Sequence, residues 1–190
     1  MYPDKFLWYH HLSIREGGIF LILIINTLEN NQAVFQIESK LKSCSMEYEI
    51  IHTAKMNIHH CVGCNYCWLK TPGICAIKDD YEVILKKMIQ AEQMWIVADT
   101  NFGFISYQGK NIVDRMMPLV TMNLHIKNGQ MRHITRYKNT ADFGVIYQGE
   151  GDKEYLNRWS ERVALNFAGK SLGAYSIDEI QEVSHAFSNH

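Results

Sequence analysis

Four of the chain's five cysteines fall within fifteen residues, as Cys61-x2-Cys64-x2-Cys67-x7-Cys75. Thiolates two residues apart on a tight loop can converge on one centre, because the backbone between them folds around the sulfurs. Three thiolates at this spacing are what the bacterial ferredoxin run uses to hold an iron–sulfur cluster. A structural zinc site usually draws on two separated pairs, so four ligands in one short loop would be cramped. His59 and His60 stand beside the loop as substitute ligands and keep zinc open. The bland alternative is packing or free thiols, since unpaired cysteine is among the most buried residue types. Four cysteines in a loop that also holds Gly63 and Gly73 argue against packing alone. An odd count gathered in one place reads as metal or redox chemistry rather than a disulfide framework. The spacing predicts a [4Fe–4S] cluster on Cys61, Cys64, Cys67 and Cys75.

Such a loop needs a scaffold. The run Ile19–Ile25 is continuously apolar and rich in β-formers, as expected of a central parallel strand covered on both faces. Ala33, Ile37 and Leu41 repeat every four residues and predict a first helix ending near Cys44. A second strand is expected over Tyr48–Thr53, followed by the cysteine loop at 59–77. Asp79 with Glu82 three residues on resembles a capping box that opens a helix through Val83–Ile89. Met94–Ala98 reads as the third strand, Thr100–Ser106 as a loop, and Ile112–Leu119 as a helix that Pro118 ends or kinks. Asn128-Gly129 predicts a hairpin between Leu124–Lys127 and Gln130–Thr135, inserted at about 123–136. Phe143–Tyr147, a helix over Lys153–Phe167, Leu172–Ile177 and a final helix capped by Asp178 complete the pattern.

Five strands alternating with helices predict an α/β fold, a doubly wound five-stranded parallel sheet of order 2-1-3-4-5 with helices on both faces. In such sheets a ligand lies beyond the carboxyl ends of the strands, where the order reverses. Asn26–Gln32, Thr100–Ser106 and Tyr147–Gly151 should meet there, with the cysteine loop rising on the same edge. Residues 1–17, with four aromatics and two histidines, read as an extension ahead of a single domain at 18–190.

Composition narrows the function. Nineteen basic residues against twenty acidic ones, with no basic block, give no nucleic-acid footprint. The apolar run is too short to span a bilayer and lacks the flanks of a signal peptide, so no membrane partner and a cytoplasmic location are expected. No Gly-x-Ser-x-Gly elbow, phosphate-binding Gly-rich loop ending in Lys-Ser/Thr, or His-Glu-x-x-His occurs, which leaves hydrolase, kinase and metalloprotease readings without support.

The stretch Cys61-Val62-Gly63-Cys64-Asn65-Tyr66-Cys67 with Gly73-Ile74-Cys75-Ala76-Ile77-Lys78-Asp79-Asp80 resembles a hallmark of the NADPH-dependent FMN reductase family, in its iron–sulfur flavoprotein branch. Similarity continues through Ala91–Ala98 and through Gly109-Lys110-Asn111-Ile112-Val113-Asp114-Arg115. The resemblance implies a flavodoxin-like fold, FMN at the switch point, electrons from NAD(P)H passed to an acceptor, and a homodimer or homotetramer. It places the FMN phosphate against Thr27, Asn30, Asn31 and Gln32. The ring falls against Asn101, Phe102 and Gly103, with Gly149 and Gly151 offering backbone N–H groups at its edge. In this branch the cysteine motif ligates a cluster that relays electrons from FMN. The first loop departs from the family pattern: it has no glycine and no arginine, and it carries Glu29. An alternative follows from that departure, a flavodoxin-like module without FMN that uses its cysteine loop for a metal or a partner. Asp114-Arg115 is expected to form a helix-end ion pair that orders the loop, a structural rather than a catalytic role.

Overall fold

In a computed structural model that describes residues 20–188, every residue of the apolar run Leu21–Asn26 is buried and forms strand β1. Its side chains alternate between two cores, as the pleat requires. Ile22 and Ile24 pack with Trp95, Val97 and Ile146 beneath α1 (Gln32–Ser43) and α6 (Ile180–Ser188). Leu23 and Ile25 join Ile96, Val145 and Phe143 on the other face. That face is covered by α3 (Tyr81–Met88), α4 (Tyr107–Asp114) and α5 (Lys153–Asn166).

The sheet runs β2 (Glu47–His52), β1, β3 (Gln93–Asn101), β7 (Asp142–Gln148), β8 (Ser171–Ser176), all parallel. This is the doubly wound, flavodoxin-like order expected from the alternation of strands and helices. A two-residue strand, β4 (Phe104–Ile105), folds back antiparallel on the end of β3. Gly144 on β7 faces Trp95, and a Cβ there would lie 2.4 Å from the indole, so only glycine admits the buried ring. The insertion is a separate ribbon of β5 (Val120–Lys127) and β6 (Gln130–Thr135). Its turn residues Asn128 and Gly129 both have positive φ, as a tight two-residue hairpin demands.

Several expectations are corrected. β3 runs on to Asn101, so the stretch read as a loop is half strand and half tight turn. The helix expected to reach Leu119 stops at Asp114, and Pro118 sits in a 3-10 turn over Met117–Leu119. Asp79 does not cap α3 with Glu82. Its Oδ1 takes the Tyr81 N–H, while Oδ2 is claimed by a distant arginine. The last helix is preceded by a 3-10 turn capped by Ser176 with Glu179 in return, so Asp178 is not its cap. The extension at residues 1–17 lies outside the described residues. Among the described residues no helix is long and apolar enough to cross a membrane.

Candidate functional site

The loops after β1, β3 and β7 meet at the carboxyl edge of the sheet, where the order reverses. The first is knit to itself. Asn26 is fully buried; its Oδ1 accepts the Leu28 N–H at 3.1 Å and its Nδ2 donates to Asn31 Oδ1 at 3.0 Å. The Thr27 hydroxyl donates to Val97 O at 2.9 Å, beside a backbone bond from Thr27 N to the same carbonyl. Asn30 Oδ1 accepts the N–H of Gln32, the first residue of α1. Leu28 is buried, while Glu29 is exposed. Thr27, Asn30, Asn31 and Gln32 therefore do come together, but largely as partners of one another and of the sheet.

The other two loops form a joined rim. Beyond Asn101 the chain turns through Phe102 and Gly103 at φ 52° and 78°. Gly103 bridges to Gly151, its carbonyl accepts Asp152 N–H at 2.8 Å, and the Thr100 hydroxyl donates to Gln148 O. Gly149 also has positive φ, and a Cβ there would meet Thr100 Oγ1 at 2.8 Å, so the two loops approach only because it has none. The Phe102 side chain stands fully in solvent on this rim. An aromatic in the left-handed region and wholly exposed is costly to keep, and such strain gathers at functional positions. Between the first loop, the turn after β2 and the start of α4 lies a polar hollow of about 190 Å³. Thr27, Glu29, Tyr107, Gln108 and Asn111 are among its walls.

The cysteine loop rises on the same edge. Left-handed turns at Gly63 and Asn65 wind it into the one-turn helix α2 (Tyr66–Leu69). Cys61, Cys64, Cys67 and Cys75 line one hollow of about 370 Å³, together with Asp114 of α4. Asp114 lies three residues after Asn111, so a single helix turn of α4 borders both hollows. Burial, and then the charges of Cys75, Cys61 and Cys64, push the Cys67 thiol up to about 11. Such a thiol stays protonated until a bound cation compensates the crowded sulfurs. Among the described residues no three His, Cys, Asp or Glu side chains are gathered to hold one metal ion. Four thiols on one hollow are the type of donor an iron–sulfur cluster takes. Cys44 is exposed at the far end of α1 and takes no part.

Arg115 orders the cysteine loop, as expected, but with a different acidic partner. Asp114 pairs with Lys110, not with its neighbour. Arg115 is instead buried. It donates to Asp79 Oδ2 at 2.5 Å, to His59 O at 3.0 Å and to Cys75 Sγ at 3.3 Å, with its guanidinium 4.4 Å from the Tyr81 ring centroid. Arg115 Nε has no partner and is buried. Burial is the strongest single influence on the Asp79 carboxyl and would raise it, but the Arg115 hydrogen bond and charge together with the His59 and Tyr81 N–H groups hold it below the ordinary range. His59 is drawn to Asp79 by its N–H at 2.9 Å and its ring at 3.3 Å, rather than to the sulfurs. On the other side Trp68 donates to Met117 O and stacks on His133 of the ribbon. The arginine was visible only as one half of a dipeptide; no periodicity could point to Asp79 or Cys75.

No family model matches the chain. It is 40% identical over 74 residues to an iron-sulfur flavoprotein of Methanocaldococcus jannaschii, covering 39% of this chain and 37% of that one. It is 34% identical over 111 residues to an iron-sulfur flavoprotein of Archaeoglobus fulgidus, covering 56% and 54%. The chain thus spans about half, or less, of the length of these curated relatives. Among solved structures, an NAD(P)H:quinone oxidoreductase from Methanothermobacter marburgensis superposes with a TM-score of 0.63 at 8% identity, over 91% of this chain and 99% of that one. That likeness carries the fold. Over part of its length the chain is thus similar to iron-sulfur flavoproteins, and its architecture is flavodoxin-like.

Proposed function

We propose that the chain is a flavin-dependent oxidoreductase that takes reducing equivalents from NAD(P)H and passes them to an acceptor through an iron–sulfur cluster. The observation that carries this reading is the shared wall: one turn of α4 separates the switch-point hollow from the hollow of four cysteines. A bound flavin would supply two-electron exchange with nicotinamide and one-electron exchange with a cluster.

The chain's own tasks are positional. Phe102 is free to lie on a flavin ring, and Asn101, Gly103, Gly149 and Gly151 let backbone approach its edge. Cys61, Cys64, Cys67 and Cys75 are the ligands of a [4Fe–4S] cluster, with Arg115 fixing Cys75 and setting positive charge beside it. The resemblance implies FMN. A homodimer or homotetramer would cover Phe102, Tyr107 and the apolar side chains of the ribbon, such as Ile126 and Met131, all of them exposed in the single chain.

Absorption of anaerobically purified protein, with iron and sulfide content and NAD(P)H oxidation, tests the reading. Flavin bands with a broad brown shoulder and about four irons per chain are expected. Colourless protein that takes up no flavin and oxidises no NAD(P)H would sink it. A second reading, a module without flavin that binds metal or a partner through its cysteines, is favoured by the self-satisfied first loop. Stoichiometric zinc without flavin is its signature.

A further inference from the structure

The switch-point hollow is polar, yet its chemistry is wrong for an anion. None of the residues that line it is Lys or Arg, and Glu29 brings a carboxylate to its wall. The hydroxyls of Thr27 and Thr53 both turn away, to Val97 O and Asn26 O. Asn111 donates its amide N–H to Ile58 O, which aims its Oδ1 elsewhere; that oxygen is buried and has no hydrogen-bond partner. Among the amides at the start of α1, that of Gln32 is already taken by Asn30 Oδ1. The hollow therefore asks for hydrogen-bond donors without negative charge.

We propose that this site takes a flavin whose side chain ends in a hydroxyl, of the riboflavin class, in preference to the phosphorylated FMN. The proposal rests on the flavin reading above and narrows it. The ring would lie at the Phe102 rim as before. The sugar-alcohol chain would enter the hollow, its hydroxyls donating to the Glu29 carboxylate. A phosphate in the same place would meet Glu29 with like charge. Like charges a few ångströms apart at a wetted surface cost about tenfold in affinity.

The test uses the full chain, purified anaerobically and freed of bound flavin by dialysis. Riboflavin and FMN are titrated by fluorescence quenching, at low salt and at high salt, for the native chain and for Glu29→Gln. Glutamine keeps an accepting oxygen and removes the charge at an exposed position, so folding is not at risk. Riboflavin should bind about tenfold or more tightly than FMN, with the gap narrowing in Glu29→Gln and in high salt. FMN binding as tightly as riboflavin, or more so, overturns the preference and leaves the flavin reading standing. A gap that ignores both the substitution and salt overturns the role given to Glu29 and with it the proposal. Failure of both flavins to bind overturns this proposal and the flavin reading together.

Discussion

The cysteine loop and the first loop rise from the same sheet edge and are stabilised in opposite ways. The cysteine loop is held from outside itself: Arg115, contributed by the end of α4, grips Asp79, Cys75 and the His59 carbonyl at once. Its own side chains are thereby left to face a common hollow. The first loop is held largely from within, Asn26 bonding Asn31 and the Leu28 N–H and Asn30 the Gln32 N–H, with Thr27 tied to the sheet at Val97. A loop fixed by an external clamp keeps its functional groups available. One that consumes its own polar groups keeps its shape and gives up the same groups as ligands.

Breaking the clamp should have the largest effect. Arg115→Met leaves the buried Asp79 carboxylate unpaired and should cost about 3–5 kcal/mol, read by denaturant unfolding. Arg115→Met combined with Asp79→Asn should recover part of that loss; a fully additive double variant would deny the coupling. Breaking the self-satisfied loop should cost less. Asn26→Ala orphans the Leu28 N–H and should destabilise by about 2 kcal/mol, while iron content stays as in the parent. Loss of iron along with stability would show that the two loops are one unit. The rim offers the smallest effect, and one of opposite sign. Phe102→Gly relieves a left-handed aromatic and should raise stability by about 1 kcal/mol. Flavin affinity should fall about tenfold in the same variant, since a stacked ring is lost. Unchanged flavin binding would remove Phe102 from the site.

Much of the frame was legible because its causes are local. A run of buried β-formers such as Leu21–Ile25 can only be a covered strand, and Asn128-Gly129 allows little but a tight turn. The cap assignments at Asp79 and Asp178 failed for two different reasons. A carboxylate's nearest partner in the chain lost to a better one in space, Arg115 in the first case, while in the second Ser176 and Glu179 closed a capping box around the turn. That the four cysteines would lie close together was legible from spacing, because residues two apart on a tight loop stay near one another, and they line one hollow.

By itself, then, the sequence determined the order of strands and helices, the site of the cysteine hollow and the edge on which a flavin would lie. These follow from periodicity, turn chemistry and ligand spacing, all short-range along the chain. Only the tertiary structure decided which way polar side chains face. Arg115 meets Asp79 across 36 residues, and Thr27 meets Val97 across 70. A hydroxyl or guanidinium bonds to whatever acceptor packing brings within about 3 Å, and that choice is made by the fold.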